Sequence, residues 1–299
     1  MIGRGHTPVL FEEVLQHLNS EREGIYIDCT LGLGGHASAL LQRNPGAELM
    51  GLDRDERSLQ AAEETLRDFA DRIQIFHSDF RFLSKLDVDF SRVRGVLMDL
   101  GISSFQLDDP ERGFSFNQEG PLDMRMDQRA KATAARILEK YSEPHLAQVF
   151  FEYGELRQSR KLARAIVSKR KIRKIESTTQ LFQIVEEICR WRPQKGKSHP
   201  AAKVFQALRI EVNQELQDLE VFLRETVACL PTGARIVVIS FHSLEDRIVK
   251  HTFVDLASEE EGRSPEVKIL TKKPVMASAP EVEANFRSRS AKLRAAERL

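Results

Sequence analysis

The sequence predicts an α/β protein in which a mostly parallel sheet is interrupted by a long helical insertion. An apolar run at residues 25–28 is followed by a glycine-rich turn and a helix-forming segment. Further β-prone runs alternate with helical stretches as far as residue 100, which is typical of a parallel sheet covered by helices on both faces. The alternation stops at about residue 103 and returns with the apolar run at 235–240, so we expect the insertion between the fourth and fifth strands.

The opening strand, turn and helix predict a nucleoside site. The first strand ends in Asp28, and glycines then precede the helix-forming stretch Ala37–Leu41. Glycine lets the backbone approach a ligand where a Cβ atom would collide, and a helix start presents N–H groups to an anion. About twenty residues further on, the second strand ends in Asp53, where an acid that binds a ribose diol belongs. A nucleoside pocket is therefore our first hypothesis.

Two further strands add acids to the same edge of the predicted sheet. The third strand, Ile73–His77, leads to Asp79, and the fourth, Val93–Leu100, contains Asp99 near its end. In such sheets the ligand lies outside the carboxyl ends of the strands. We therefore expect four acids to lie at one edge, namely Asp28, Asp53, Asp79 and Asp99.

The insertion divides the chain into two predicted domains. Residues 108–126 are rich in turns and charges, and their aromatic and methionine residues favour an ordered loop. Helices are predicted over 130–141, 144–153, 156–169 and 179–190, with one long helix from Pro200 to about Cys229. A fifth strand at 235–240, a helix from Phe241 onwards and β-prone runs at 267–270 and 291–294 follow. We predict one domain formed by residues 1–104 and 212–299, and an inserted domain at residues 105–211.

Composition restricts the class of protein. Lys+Arg and Asp+Glu are equal at 45 each, so no overall field attracts a nucleic acid, although a local basic patch still can. The three cysteines, Cys29, Cys189 and Cys229, lack metal-ligand spacing, so we predict no metal site. We find no long apolar span and no signal-peptide pattern. These features predict a soluble cytoplasmic protein without a membrane partner.

The glycine turn by itself does not identify the cofactor. Gly32, Gly34 and Ala37 fit the dinucleotide pattern G-x-G-x-x-G/A, so a nicotinamide oxidoreductase is one hypothesis. A carboxylate at Asp28 would repel a pyrophosphate, whereas it suits a cofactor that carries an ammonium group. S-adenosylmethionine has that ammonium, a ribose diol for Asp53 and an adenine that can lie beside Phe80. The alternatives are a helix cap for Asp28 and a core position for Phe80.

Several longer motifs carry a resemblance to a known family. They are His6–Leu10, Gly32–His36, Asp99–Ser104, Gln106–Asp108, Arg112–Phe116, Gly120–Met126, Phe205–Ile210 and Ser240–Arg247. Together they resemble the MraW/RsmH family, bacterial S-adenosylmethionine-dependent methyltransferases that modify the N4 amine of a decoding-centre cytidine in small-subunit (16S) ribosomal RNA. The likeness extends from His6 to near the C-terminus.

The resemblance implies a fold, a partner and a set of cofactor contacts. The implied fold is a class I methyltransferase (Rossmann-like) sheet interrupted by an all-helical domain that recognises the substrate. The implied partner is small-subunit ribosomal RNA or the small ribosomal subunit, and a homo-oligomer is left open. The implied cofactor contacts are Gly34, Gly35, His36, Asp53, Phe80, Asp99 and Gln106.

The chemistry of cytidine methylation assigns roles to two acids. The N4 lone pair is delocalised into the ring, so the enzyme must position the amine and accept its N–H bonds. Asp99 is the first candidate acceptor and Asp123 the second, although Asp123 is equally suited to an ion pair with Arg125. The base must leave its stack or be presented by single-stranded RNA. Phe114 and Phe116 either cover it or close a small core.

A basic run in the insertion predicts the RNA contact. It has nine basic residues and no acid, whereas a solvated helix face usually mixes signs. The nine are Arg157, Arg160, Lys161, Arg164, Lys169, Arg170, Lys171, Arg173 and Lys174. A second basic group, which includes Lys195 and Lys197, flanks Trp191, which either stacks on a base or anchors the insertion. The rival from a different class is a non-catalytic RNA-binding or ribosome assembly factor with a methyltransferase-like fold.

Overall fold

A computed structural model describes residues 8–193, 199–259, 262 and 264–299. The chain divides into two compact units. The sheet unit is Met1–Gly101 with Gln217–Leu299, and the helical unit is Ile102–Leu216. The domain limits predicted from the sequence fall a few residues from these unit limits. His6, Lys195 and Lys197, which the sequence analysis singles out, lie outside the described residues.

The sheet unit is built on an eight-stranded sheet. Its strands are β1 (Gly24–Asp28), β2 (Ala47–Asp53), β3 (Ile73–His77), β4 (Val93–Asp99), β5 (Arg235–Ser240), β6 (Val267–Ile269), β7 (Val275–Met276) and β8 (Lys292–Arg298). The order is β3-β2-β1-β4-β5-β8-β6, and β7 pairs with β8. Strands β1 to β5 are parallel, whereas β8 is antiparallel to β5, β6 and β7. This Rossmann-like mixed sheet confirms the predicted fold class.

The described residues contain twelve α-helices. They are α1 (Phe11–Leu18), α2 (Gly35–Arg43), α3 (Glu56–Thr65), α4 (Ser104–Asp108), α5 (Ala134–Lys140), α6 (Glu143–Glu152), α7 (Ser159–Arg170), α8 (Thr178–Cys189), α9 (Pro200–Asn213), α10 (Leu219–Cys229), α11 (Ser243–Leu256) and α12 (Ala279–Ala284). Within the part of the chain that the structure describes, no helix is long and apolar enough to cross a membrane.

The central parallel strands β1, β2, β4 and β5 are largely buried on both faces, and this explains their continuous apolar runs. Ile27 and Val96 point into a core shared with α10 and α11. Their neighbours Tyr26 and Leu97 point into the opposite core, shared with α1 and α2. Side chains alternate across a strand, so each central strand contributes to both layers. The carboxyl ends of the strands are thereby held in fixed register.

The helical unit has a core of its own, and its loop at residues 108–126 is ordered. Phe114, Met124 and Met126 are buried in that core. The guanidinium of Arg112 donates to the carbonyls of residues 125 and 126 at 2.9 and 3.1 Å. The amide of Asn213 donates to the Met124 carbonyl at 2.7 Å and accepts from the Met126 N–H at 2.7 Å. These hydrogen bonds pair backbone N–H and C=O groups of the loop that have no partner in a helix or strand.

The prediction of one long helix from Pro200 to Cys229 is wrong. Two helices, α9 and α10, occupy this stretch. Gln214 and Asp218 adopt left-handed backbone with φ of 51° and 59°, which breaks the helix without glycine or proline. The two-residue β7 and the short α12 are not predicted from the sequence, and β8 is longer than the predicted run at 291–294.

Candidate active site

Three acids end adjacent parallel strands at one edge of the sheet. Asp28 closes β1, Asp53 closes β2 and Asp99 closes β4. Thr30 connects two of them, because its Oγ1 accepts the Asp99 N–H at 2.6 Å and its own N–H donates to Asp28 Oδ1 at 3.1 Å. Thr30 is a site residue that the sequence analysis missed, and its only signal is a hydroxyl residue placed two positions after Asp28.

The glycine turn fixes the carboxylate of Asp53. The Gly32 N–H donates to Asp53 Oδ2 at 2.8 Å, and the Asp55 N–H donates to Oδ1 at 2.8 Å. Gly34 caps α2 with φ of 79°, a conformation that favours glycine. A Cβ atom on Gly35 would lie 2.6 Å from Cγ of Pro8. A carboxylate oxygen accepts two hydrogen bonds, so Asp53 retains acceptor capacity for a diol.

His36 and Asp99 form the least satisfied polar pair of the site. His36 is 8% exposed, and its Nε2 lies 3.7 Å from Asp99 Oδ2. Among the described residues, neither ring nitrogen of His36 nor Asp99 Oδ1 has a hydrogen-bond partner, although these atoms are buried. Buried polar atoms are nearly always paired in folded proteins. The three atoms therefore indicate a place where a ligand supplies the missing partners.

The electrostatics of this edge favour a cation. Burial, together with the charges of Asp99 and Asp53, raises the pKa of Asp28 to about 7, although His36 and the Thr30 N–H act to lower it. Burial also raises the pKa of Asp53. Clustered carboxylates in a dry site resist ionisation until a positive group enters. An ammonium or sulfonium group would supply that charge.

Asp79 and Phe80 differ from the other edge residues. Burial acts to raise the pKa of Asp79, but hydrogen bonds from Arg81 at 2.9 and 3.0 Å and the charge of Arg54 at 3.6 Å bring it below its usual range. Asp79 is thus already neutralised by arginines. Phe80 is buried and packs edge-on against Phe222 with ring centroids 4.8 Å apart, the core position that the sequence left open as an alternative.

The remaining candidates for cofactor and amine contacts lie in the helical unit. Gln106 is buried and forms a capping box with Ser103, whose N–H donates to Gln106 Oε1 at 3.1 Å. Asp123 receives two hydrogen bonds from the Arg125 guanidinium at 2.8 and 2.6 Å, so the ion pair considered above is present. Phe116 stacks on Phe182 with centroids 5.9 Å apart, which is a packing contact inside the unit.

The basic run lies on and around α7, and its members have unequal environments. Arg170 donates to the carbonyls of residues 138 and 141, so it holds the fold. Arg164, Lys169 and Lys174 pair with glutamates at 3.3, 2.8 and 3.7 Å. Within the described ranges five exposed members have no ion pair, namely Arg157, Arg160, Lys161, Lys171 and Arg173. Trp191 contacts His199 edge-on at 4.7 Å.

Comparisons with known proteins agree over nearly the whole chain. The model of the MraW methylase family matches residues 3–299. A protein of Carboxydothermus hydrogenoformans named "Ribosomal RNA small subunit methyltransferase H" is 47% identical, with 98% of each chain covered. Relatives of the same name from Trichodesmium erythraeum and Thermotoga neapolitana are 44% and 46% identical, covering 98% of this chain and 99% and 95% of theirs. The chain belongs to the MraW methylase family.

Proposed function

We propose that this protein transfers a methyl group from S-adenosylmethionine to the exocyclic N4 amine of a cytidine in the decoding centre of small-subunit ribosomal RNA. The observation that carries the proposal is the group of Asp28, Asp53 and Asp99 at the strand ends, beside His36, whose buried ring nitrogens have no hydrogen-bond partner among the described residues. The names of the relatives support small-subunit ribosomal RNA as the substrate. Membership of a methylase family overturns the nicotinamide oxidoreductase hypothesis.

The residues at the edge of the sheet fit the cofactor. Asp28, whose pKa burial raises, gains a counter-ion from an ammonium group. Asp53, held by the N–H groups of Gly32 and Asp55, has acceptor capacity left for two ribose hydroxyls. Gly34, in left-handed backbone, and Gly35, where a Cβ atom would meet Pro8, shape the turn that leads into α2 and its N–H groups. When bound, S-adenosylmethionine supplies an electrophilic methyl group on a sulfonium. Phe80 and Gln106 complete the proposed cofactor contacts.

Asp99 is the proposed acceptor for the target amine. Its Oδ1 is buried and has no partner among the described residues, so it is available to accept an N4–H bond. That bond favours a pyramidal nitrogen and stabilises the positive charge that develops there. The Thr30 hydroxyl accepts the Asp99 N–H and so fixes the backbone that carries the carboxylate, and His36 Nε2 lies 3.7 Å from Oδ2. The amine proton becomes acidic as the new bond forms, so the acceptor need not be a strong base.

The helical unit is the proposed substrate-recognition domain. The five exposed cations around α7 that have no ion pair within the described ranges are the proposed phosphate contacts, and Trp191 is a proposed stacking residue. Asp123 stays the second candidate for the amine, but it would first have to leave the two hydrogen bonds of Arg125. A substrate of this kind places the protein in the cytoplasm, with the RNA or the small subunit as its partner.

The decisive test is chemical mapping of the product. Purified protein, labelled S-adenosylmethionine and small subunits from cells that lack the active enzyme are combined, and the RNA is analysed by mass spectrometry. We expect one methyl group on the N4 atom of one cytidine. If the wild-type protein transfers no methyl group to either free RNA or small subunits, the non-catalytic assembly factor replaces our proposal.

One prediction concerns the two exposed arginines one turn apart on α7. Changing Arg160, which has no ion pair among the described residues, to glutamine should weaken RNA binding and lower the slope of log Kd against log salt by about 0.7 to 0.9. Arg164→Gln is the matched control, because Glu143 already compensates that charge at 3.3 Å. Filter binding at several salt concentrations measures both slopes. Equal slopes for the two variants would remove Arg160 from the RNA contact.

A further inference from the structure

The segment between β6 and β8 lies at the same edge of the sheet as the candidate active site. β8 is antiparallel to β5, and its first residue, Lys292, is in register with Ser240 at the end of β5. β7 pairs with Lys292 and Leu293 at that same end of β8. Residues 271–290, here called the edge segment, therefore lead into β8 at the carboxyl ends of the parallel strands.

The strand register gives the approximate distance between Asp99 and the start of β8. Asp99 is in register with Ile239, and Ile239 is in register with Leu293. Neighbouring strands are about 4.8 Å apart, so the backbone of Leu293 lies about 10 Å from that of Asp99. The edge segment ends two residues before Lys292. A strand of nucleic acid that reaches Asp99 would therefore pass close to this segment.

The edge segment presents an aromatic ring among cations. Phe286 is 69% exposed, and the Arg289 guanidinium carbon lies 5.5 Å from its ring centroid. Lys272 and Lys273 are exposed too, and in the described part of the chain neither they nor Arg289 form an ion pair. Phe286 thus lies beside one cation that has no ion pair in the described part of the chain, in a segment that carries two further exposed lysines.

Acidic residues of the same region do not cancel this charge. Glu281 Oε1 accepts the Leu10 N–H at 2.7 Å, which ties α12 to the rest of the unit. Glu283 is exposed and contributes one negative charge. Asp246 is bound by Arg294 at 2.7 Å and by Lys292 at 3.3 Å, so it is already compensated. The edge segment thus keeps an excess of positive charge.

We propose that the edge segment binds single-stranded RNA next to the target nucleotide, with a neighbouring base stacked on Phe286 and phosphates held by Lys272, Lys273 and Arg289. Aromatic rings interleaved with cations are how proteins bind single strands without reading their sequence. A protein partner fits less well, because lysine is depleted at protein interfaces. The proposal rests on the proposed function in so far as the strand belongs to the RNA substrate.

The first experiment measures binding without catalysis. The full-length protein is titrated, without S-adenosylmethionine, into a short fluorescein-labelled single-stranded RNA, and anisotropy gives Kd. Phe286→Ala should raise Kd about tenfold, the effect of losing one stacked base. Phe82→Ala is the matched control. Phe82 is 45% exposed with Lys85 4.5 Å from its ring centroid, and it follows β3 at the opposite end of the strand order. We expect its Kd to stay within twofold of the wild type, about the scatter set by small surface effects.

The second experiment counts the phosphate contacts. The triple variant Lys272→Gln, Lys273→Gln, Arg289→Gln should lower the slope of log Kd against log salt by about 2, since each single-strand contact contributes about 0.7. An unchanged slope would overturn the phosphate assignment. If free RNA binds both sets of variants as tightly as the wild type while small subunits bind them more weakly, a ribosomal protein is the partner and the RNA proposal is wrong.

Methylation assays separate this proposal from the proposed function. If the wild type methylates small-subunit RNA, Phe286→Ala should raise the KM for RNA about tenfold and leave kcat at saturating RNA unchanged. An unchanged KM together with an unchanged Kd would sink the edge-segment proposal and leave the function intact. If the wild type transfers no methyl group but Phe286→Ala still weakens binding of the labelled RNA, the function fails and the RNA-binding surface stands.

Discussion

Asp99→Ala is expected to lower kcat for methyl transfer about 100-fold or more, the usual cost of removing one group that stabilises developing charge. The reason is that Asp99 Oδ1 is buried and unpartnered among the described residues, at the end of β4. Asp99→Asn keeps a neutral oxygen that can accept a hydrogen bond, so its kcat should fall less than that of Asp99→Ala. Single-turnover transfer from labelled S-adenosylmethionine to small subunits measures both, and calorimetry measures cofactor affinity separately.

Asp123→Asn discriminates between the two candidate acids. Asp123 is held by two hydrogen bonds from Arg125. Its replacement should therefore mainly destabilise the fold, measured as a lower melting temperature, and should have only a small effect on kcat. Removal of Asp99 should leave the melting temperature unchanged or higher, because Asp99 adds to the negative charge around Asp28. A normal kcat for Asp99→Ala, together with a large loss for folded Asp123→Asn, would transfer the role of acceptor to Asp123.

Asp28→Asn is expected to stabilise the cofactor-free protein at pH 8 while weakening cofactor binding. Burial raises the pKa of Asp28 to about 7, so the folded state holds its proton more tightly than the unfolded state does. The free energy of unfolding should therefore fall as the pH rises from about 4 to about 7. Asparagine removes this cost, which should add about 1–3 kcal/mol at pH 8 and little at pH 4. Urea denaturation at both pH values measures the difference.

The same substitution should raise the Kd for S-adenosylmethionine about 10- to 100-fold, because a charge-assisted hydrogen bond to the ammonium is lost. In the wild type, affinity should increase between pH 6 and pH 8 as Asp28 gives up its proton to pair with the ammonium. The control is Asp79→Asn. Arginines hold the pKa of Asp79 below its usual range, so this variant should lose stability at pH 8. Equal stability of wild type and Asp28→Asn at pH 8 would contradict the role given to burial.

Much of the sheet could be predicted from the sequence, because the central parallel strands are largely apolar on both faces and three of them, β1, β2 and β4, end in an acid. The placement of Asp28, Asp53 and Asp99 followed from strand direction alone. The partners of Asp79 could not be predicted, since nothing in the local sequence indicates that Arg54 and Arg81 both turn toward it. The order of strands and acids in the sequence predicts which edge of the sheet carries the carboxylates, but which cation pairs with each carboxylate depends on side-chain geometry.

The helical unit was predicted less well for a different physical reason. Its helices have a clear apolar periodicity. The break between α9 and α10, however, occurs at Gln214 and Asp218, which adopt left-handed backbone. Neither residue type marks a helix end in a sequence as glycine or proline does. The sequence leaves the role of Asp123 open between an ion pair and a contact to the target amine. Arg125, two residues away, offers an ion pair whether or not the acid acts on a substrate. Only side-chain geometry distinguishes such cases.

The position of β8 has a consequence for how the protein is made. β8 lies between β5 and β6 in the sheet, yet it is the last of the described strands along the chain. A nascent polypeptide that has reached β5 but not β8 therefore exposes a long apolar edge, and such edges recruit other chains into aggregates. The helical unit is contiguous along the chain and has its own core, so it can fold during synthesis before β8 is available to pair with β5.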